Sequence, residues 1–151
     1  MMDVTPINLP LQEPKLGVVC GLEDELKVLG RWRRHKMVLT GVTGANPLRT
    51  RRAVFAMWKE GARMILSWGV AGALSPDLAP GDLILPDGVV GPDGATHPLA
   101  SHLFPEEAGA PDEAPMLIAG ADTMVLRAAD RAALRTRTGA VAVDMETHII
   151  A

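Results

Sequence analysis

The stretch KLGVVCGLEDELKVLG, residues 15–30, decides the fold. Residues 15–21 are a short apolar run ending in glycine, which reads as a buried strand. From residue 22 the period changes. Leu22, Leu26 and Leu29 share one face, acids fill the first turn and Gly30 closes it, so residues 22–30 are predicted to be a helix. A buried strand feeding straight into a helix is the building unit of an α/β protein.

The same alternation runs along the rest of the chain. KMVLTGV (36–42) reads as a strand. The helix that follows has Asn46 as its cap, Pro47 at its first position and Gly61 as its stop. ARMILSWGVAGAL (62–74) is a strand breaking into a glycine-rich turn, and PDLAPGDLILPDGVV (76–90) is a turn and then a strand. Residues 91–115, rich in Pro and Gly, read as a long loop. MLIAGADTMV (116–125) is a strand, 127–139 a helix ending at Gly139, and AVAVDME (140–146) a strand, with THIIA starting another helix. The strands are apolar throughout rather than alternating, which predicts a mostly parallel sheet covered on both faces. The expected architecture is a three-layer α/β/α sandwich over residues 15–151, preceded by a loose arm over 1–14 that holds three prolines.

Composition narrows the function classes. Of 151 residues, 48% are apolar, enough for one domain with a real core. A net charge of −3 offers no broad basic surface for nucleic acid, and five aromatic residues, none of them Tyr, give few stacking platforms. The single cysteine, Cys20, rules out an intrachain disulfide and a cysteine-built zinc cluster. His35, His97, His102 and His148 show no paired metal spacing, so no metal is expected. No apolar run approaches a membrane span and the N-terminus lacks the pattern of a signal peptide, so the expected location is the cytoplasm. A redox dinucleotide-binding domain is disfavoured, because no GxGxxG follows the first strand.

In parallel sheets, ligands bind at the carboxyl ends of the strands. Glu23–Glu25, Gly41–Asn46, Gly69–Gly72, Asp122 and Asp144–Glu146 fall there. A strand-to-helix turn lets both Asp144 and Glu146 point into a cleft. A carboxylate is a natural acceptor for a ribose diol, and one beside an electrophilic sugar carbon activates water or stabilises a cationic transition state. The plainer alternative is that Asp144 caps the next helix and Glu146 favours its dipole. Gly69 and Gly72 either let backbone approach a ligand or make a tight turn.

In their order, GVVCGLEDEL, VLTGVTGANPLRTRRAV, ILSWGVAGALSPDLAPGDLILPDGVV, IAGADTMV and AVAVDMETHIIA resemble the nucleoside phosphorylase and methylthioadenosine/adenosylhomocysteine nucleosidase superfamily. The likeness covers residues 16–151, and its last two segments are most similar to the hopanoid-associated phosphorylase branch. The resemblance implies cleavage of the bond between ribose and a purine, through a ribosyl oxocarbenium ion, by water or phosphate. It implies a small-molecule nucleoside as ligand, no cofactor apart from phosphate as a conditional co-substrate, and a homo-oligomer. By position, Glu146 would hold the ribose hydroxyls with Met145 packed on the sugar. Asp144 would order the sugar or nucleophile, Glu25 would activate water, Met124 would pack on the base, and the backbone of Val70, Ala71 and Gly72 would line the ribose side.

Two departures bear on mechanism. Phosphate-using members commonly place an Arg and a Ser around the glycine-rich turn, where this chain has Ser67 and Val70. An apolar Val gives phosphate no side-chain donor, which with Glu25 favours water, or else phosphate held by other groups such as Arg49. Members also continue past the last helix into a strand with a Ser-Asp pair, whose Asp serves the departing purine, and then a closing helix. The expectation is therefore a sandwich lacking the family's C-terminal strand and helix, and the alternative function is a non-catalytic nucleoside-binding homologue or a truncated fragment lacking the general acid.

Overall fold

The computed structural model describes residues 13–100 and 114–151. β1 (Lys15–Cys20) leads into α1 (Glu23–Val28), then a 3-10 turn (Gly30–Arg34) and β2 (Val38–Val42). α2 (Pro47–Lys59), β3 (Ala62–Ser67), the short β4 (Gly72–Ala73), β5 (Gly88–Val90) and β6 (Thr96–Pro98) follow. β7 (Leu117–Gly120), α3 (Ala128–Thr138), β8 (Ala142–Asp144) and α4 (Thr147–Ile150) complete the order. The result is a mixed α/β fold whose central strands are parallel.

β1 runs between β2 and β3, parallel to both, so Val18 is in register with Thr40 on one side and Leu66 on the other. A second sheet has the order β4-β8-β7-β5-β6. β7 is parallel to β8 and β5, and only the margins β4 and β6 run antiparallel. The expected single sheet is thus hydrogen-bonded as two ladders of three and five strands, which part where the chain leaves β3 through the glycine-rich turn. α4 spans the division, touching α2 and β3 on one side and β5 and β7 on the other.

Side-chain alternation assigns the faces. Ala119 and Val143 pack with Leu74, Leu134 of α3 and Ala140 on one face of the second sheet. Their neighbours Ile118 and Ala142 turn to the other face, where Val89, Leu78, Ile84 and Leu99 cover them. In the first sheet, Val19 meets Met57 of α2 together with Ala62, Val54, Ile65 and Ile150. Val18, Val19 and Val89 are essentially sealed from solvent, and each contributes about 1.5–3 kcal/mol of burial. α2 begins as its sequence predicts: Asn46 Oδ1 accepts from the Arg49 N–H at 3.0 Å, with Pro47 at the first helical position.

Two expectations need correction. Residues 91–115 are not one loop: β6 pairs with β5 in a hairpin. Its turn is closed by Gly91 N–H to Ala95 O (2.8 Å) and by Ala95 N–H to Asp93 Oδ1 (3.0 Å). The PDG at 92–94 makes this a turn with a mechanism. Residues 101–113 of that stretch, and residues 1–12 of the expected arm, lie outside the described residues. Second, the strand expected within 76–90 is confined to Gly88–Val90. The apolar residues before it pair with no strand. Ile84 serves as a lid on the Val89 cluster, while Leu83 faces water. Among the described residues, no helix is long and apolar enough to cross a membrane.

Candidate active site

The carboxyl ends of β1, β3 and β8 meet at one rim, and the acids singled out in the sequence lie there. Glu25 sits in the first turn of α1, three residues after Leu22, so its side chain curls back to accept the Leu22 N–H at Oε2 (2.8 Å). Its other oxygen, Oε1, accepts the N–H of Val70 at 3.0 Å, 45 residues away. The Trp68 indole N–H donates to the Glu25 carbonyl at 3.1 Å, and the Trp68 backbone N–H to Val19 O at 2.9 Å. The turn after β3 is therefore fastened to α1 on both sides of the carboxylate. A Cβ at 69 would stand 2.7 Å from Glu25 Oε1, so any residue but glycine there must push the carboxylate aside.

Glu146 approaches from the other end of the chain. β8 places Asp144 at its last position, and the turn through Met145 brings Glu146 to the start of α4. Glu146 and Glu25 converge over Gly21. A Cβ at that glycine would stand 2.8 Å from Glu146 Oε1 and 3.4 Å from Glu25 Oε2. Glu146 Oε1 is buried and has no hydrogen-bond partner among the described residues. Leaving such an acceptor unmade costs about 1–3 kcal/mol.

The electrostatics agree with the geometry. Burial, then the charges of Asp144 and Glu25, push the Glu146 carboxyl above its ordinary value. Burial also raises Asp144, against the bonds it accepts from Thr147. Beneath them the Cys20 thiol, buried at the end of β1, is pushed up to about 11 by burial and by the charges of Glu25, Glu146 and Glu23.

The other sequence candidates are placed as follows. The Asp144 carboxylate accepts the Thr147 N–H through both oxygens (3.3 and 3.2 Å) and the Thr147 hydroxyl through Oδ2, so it anchors the start of α4. This is the plainer arrangement foreseen from spacing. Met145 is half-buried between the two acids. Val70, 79% exposed, Ala71 and Gly72 run along the rim, and Gly72 pairs with Val143 next to Asp144. Met124, 69% exposed, lies on the turn after β7, and Ala121 of that turn donates to Asp144 O at 2.9 Å. Sequence reasoning missed the backbone donors of Leu22 and Val70, the Trp68 indole and Thr147. Only Thr147 carried a signal, as the residue three beyond an acid at a helix start.

The sequence matches the family described as the phosphorylase superfamily over residues 28–121, more than half of the chain. No curated protein sequence matches. Among solved structures, a mutant 5'-methylthioadenosine/S-adenosylhomocysteine nucleosidase of Helicobacter pylori with 5'-methylthioadenosine in its active site superposes with a TM-score of 0.70 at 17% identity, covering 93% of this chain and 78% of that one. A futalosine hydrolase of the same organism gives 0.69 at 17% identity, with 91% and 76% covered. The Campylobacter jejuni 5'-methylthioadenosine/S-adenosylhomocysteine nucleosidase gives 0.65 at 17% identity, with 91% and 78% covered. At these identities the likeness establishes the fold.

Proposed function

Because the chain belongs to the phosphorylase superfamily, we propose that it cleaves the N-glycosidic bond of an adenosine-type purine nucleoside, with water as the nucleophile. The observation that carries this reading is the pair of carboxylates, Glu25 and Glu146, facing one point above Gly21 from opposite ends of the chain. The bare oxygen of Glu146 is the acceptor a ribose diol requires. Glu25, held by two backbone N–H groups, keeps lone pairs free to orient a water and take its proton. The base leaves with the bonding electron pair, the ribosyl cation is flanked by negative charge, and the water oxygen closes the new bond to the sugar carbon. Met145 packs on the sugar, Met124 on the base, and Asp144 positions the turn that carries Glu146.

Water is favoured over phosphate on physical grounds. The Val70 side chain donates nothing, and its N–H is already given to Glu25. An anion at that place would meet a carboxylate instead of donors. The exposed apolar side chains of Leu22 and Val70 flank Glu25. With the resemblance to the hopanoid-associated branch, this extends the proposal to an adenosine with a bulky apolar group on the primary carbon of its sugar.

The test is an assay for free adenine from 5'-methylthioadenosine and adenosine, with and without phosphate, beside a thermal-shift titration of both. Release without phosphate is the expected result. Strictly phosphate-dependent release overturns the choice of water. Stabilisation without release replaces catalysis with nucleoside binding, and neither response rejects the reading.

A further inference from the structure

His148 has no part in the chemistry above, yet it is a deeply enclosed ionisable side chain near the rim. Its side chain is 7% exposed. Nε2 lies 3.2 Å from Oδ1 of Asp122, so the proton of that bond sits on Nε2 facing the carboxylate. Nδ1 is buried with no hydrogen-bond partner among the described residues. Asp122 is therefore the ring's polar anchor. The ring lies directly on Gly120, the last residue of β7, where any Cβ would overlap the imidazole.

The position of this bond in the chain is what gives it meaning. Asp122 belongs to the turn that carries Met124, the residue assigned to the base. His148 belongs to the first turn of α4, two residues beyond Glu146, which is assigned to the ribose. Ala121 and Val125 at the ends of the Met124 turn pack on the cluster of Leu74, Leu134 and Val143, but Asp122, Thr123 and Met124 between them are all exposed. Among the described residues, two hydrogen bonds also tie it to the β8 end, Ala121 N–H to Asp144 O and Asp122 to His148. The second is the one made by side chains, so substitution can remove it without touching the sheet.

We propose that His148 is a positioning residue which, through Asp122, locks the base-side turn (121–125) to the ribose-side turn (144–146), so that base and sugar are gripped at a fixed separation. This rests on the nucleoside reading above. Loss of the lock loosens the ground-state grip on the substrate and leaves the acids beside the sugar in place. Its signature is thus a weaker KM with an undisturbed kcat.

Asp122 is the side to cut, because it is 63% exposed and its removal opens no cavity. In D122A, KM for 5'-methylthioadenosine should rise about tenfold, with kcat within about twofold and Tm within about 2 °C of the parent. D122N keeps an oxygen acceptor at the same place and should stay near the parent. In H148F, which fills the ring's volume, KM should rise as in D122A. Adding D122A to H148F should cost little more, because the two residues form one bond. Amide exchange at residues 121–125 in the unliganded protein should quicken at least tenfold in D122A and not in D122N. A parental KM in D122A, equal losses in D122A and D122N, or additive losses in the double variant would overturn the lock. If the parent neither binds nor cleaves the nucleoside, the functional reading fails, and the exchange comparison alone decides whether the two turns are locked.

Discussion

The rim at β1 and the rim at β8 each present a glutamate, and the fold treats the two in opposite ways. Glu25 has a backbone N–H on each oxygen, one from its own helix turn and one from Val70 across the sheet. Glu146 is half-buried beside two other carboxylates, with Oε1 buried and without a hydrogen-bond partner among the described residues. The first group is finished before a ligand arrives. The second is kept at a cost, and a ligand hydroxyl would relieve it. Charges that a protein buries without partners are a recurring mark of sites where stability has been exchanged for function.

The largest effect expected from this contrast is on turnover. Glu146→Gln should lower kcat/KM for the nucleoside by about a hundredfold, because an amide turns one of its two acceptors into a donor facing the diol. Glu25→Gln should cost a similar factor, but mainly in kcat. Steady-state kinetics separates the two. Equal losses in KM and kcat for both variants would remove the distinction between a prepared nucleophile side and a waiting sugar side.

An intermediate effect comes from Gly69→Ala. Its methyl would stand 2.7 Å from Glu25 Oε1, so the carboxylate must leave the Val70 N–H. Turnover should fall at least tenfold and Tm by several degrees. A Gly69→Ala variant with parental kinetics would show that Glu25 does not need its second donor.

The smallest effect is on stability against pH, and it should have an unusual sign. A carboxyl raised on folding holds its proton in the native state over a range where the unfolded chain has lost it. Stability contributed by the protonated group therefore drains away as pH rises from the ordinary Glu value through the raised one. Glu146→Gln should flatten that decline and, at neutral pH, melt about 2–4 °C above the parent despite being less active. Because Glu146 is only half-buried, solvent screening keeps the gain modest. A variant that melts lower at neutral pH would mean that the bare oxygen is not a strain on the fold.

The alternation of elements was legible because long apolar runs and cap residues are local. The strand and helix at 15–30, the Asn46-Pro47 start and the Gly139 stop all needed only neighbours in sequence. The hairpin at β5 and β6 was legible in principle from PDG at 92–94, but the surrounding Pro and Gly masked its two short strands. Leu83–Leu85 looked like a strand because sequence reports apolarity, but this stretch before Pro86 joins no ladder and Ile84 packs on the Val89 cluster instead. Among the acids, position at strand ends marked the groups Glu23–Glu25 and Asp144–Glu146, and only the family resemblance singled out Glu25 and Glu146. What holds Glu25 was invisible, because backbone donors carry no letter and Gly69 reads like any turn glycine. Asp144 was ambiguous between sugar and helix, and its bonds to Thr147 are those of a helix anchor.

Trp68 gives the molecule a built-in optical gauge. Its indole N–H is fixed to the carbonyl of Glu25, while the other two tryptophans, Trp32 and Trp58, are 55% and 57% exposed. Trp58 lines a separate cavity with Phe55 and Arg63, so a Trp58→Phe variant leaves Trp68 as the ring whose emission reports on the helix turn that holds Glu25. A change at the Glu25 turn can then be followed by intrinsic fluorescence, with no label attached.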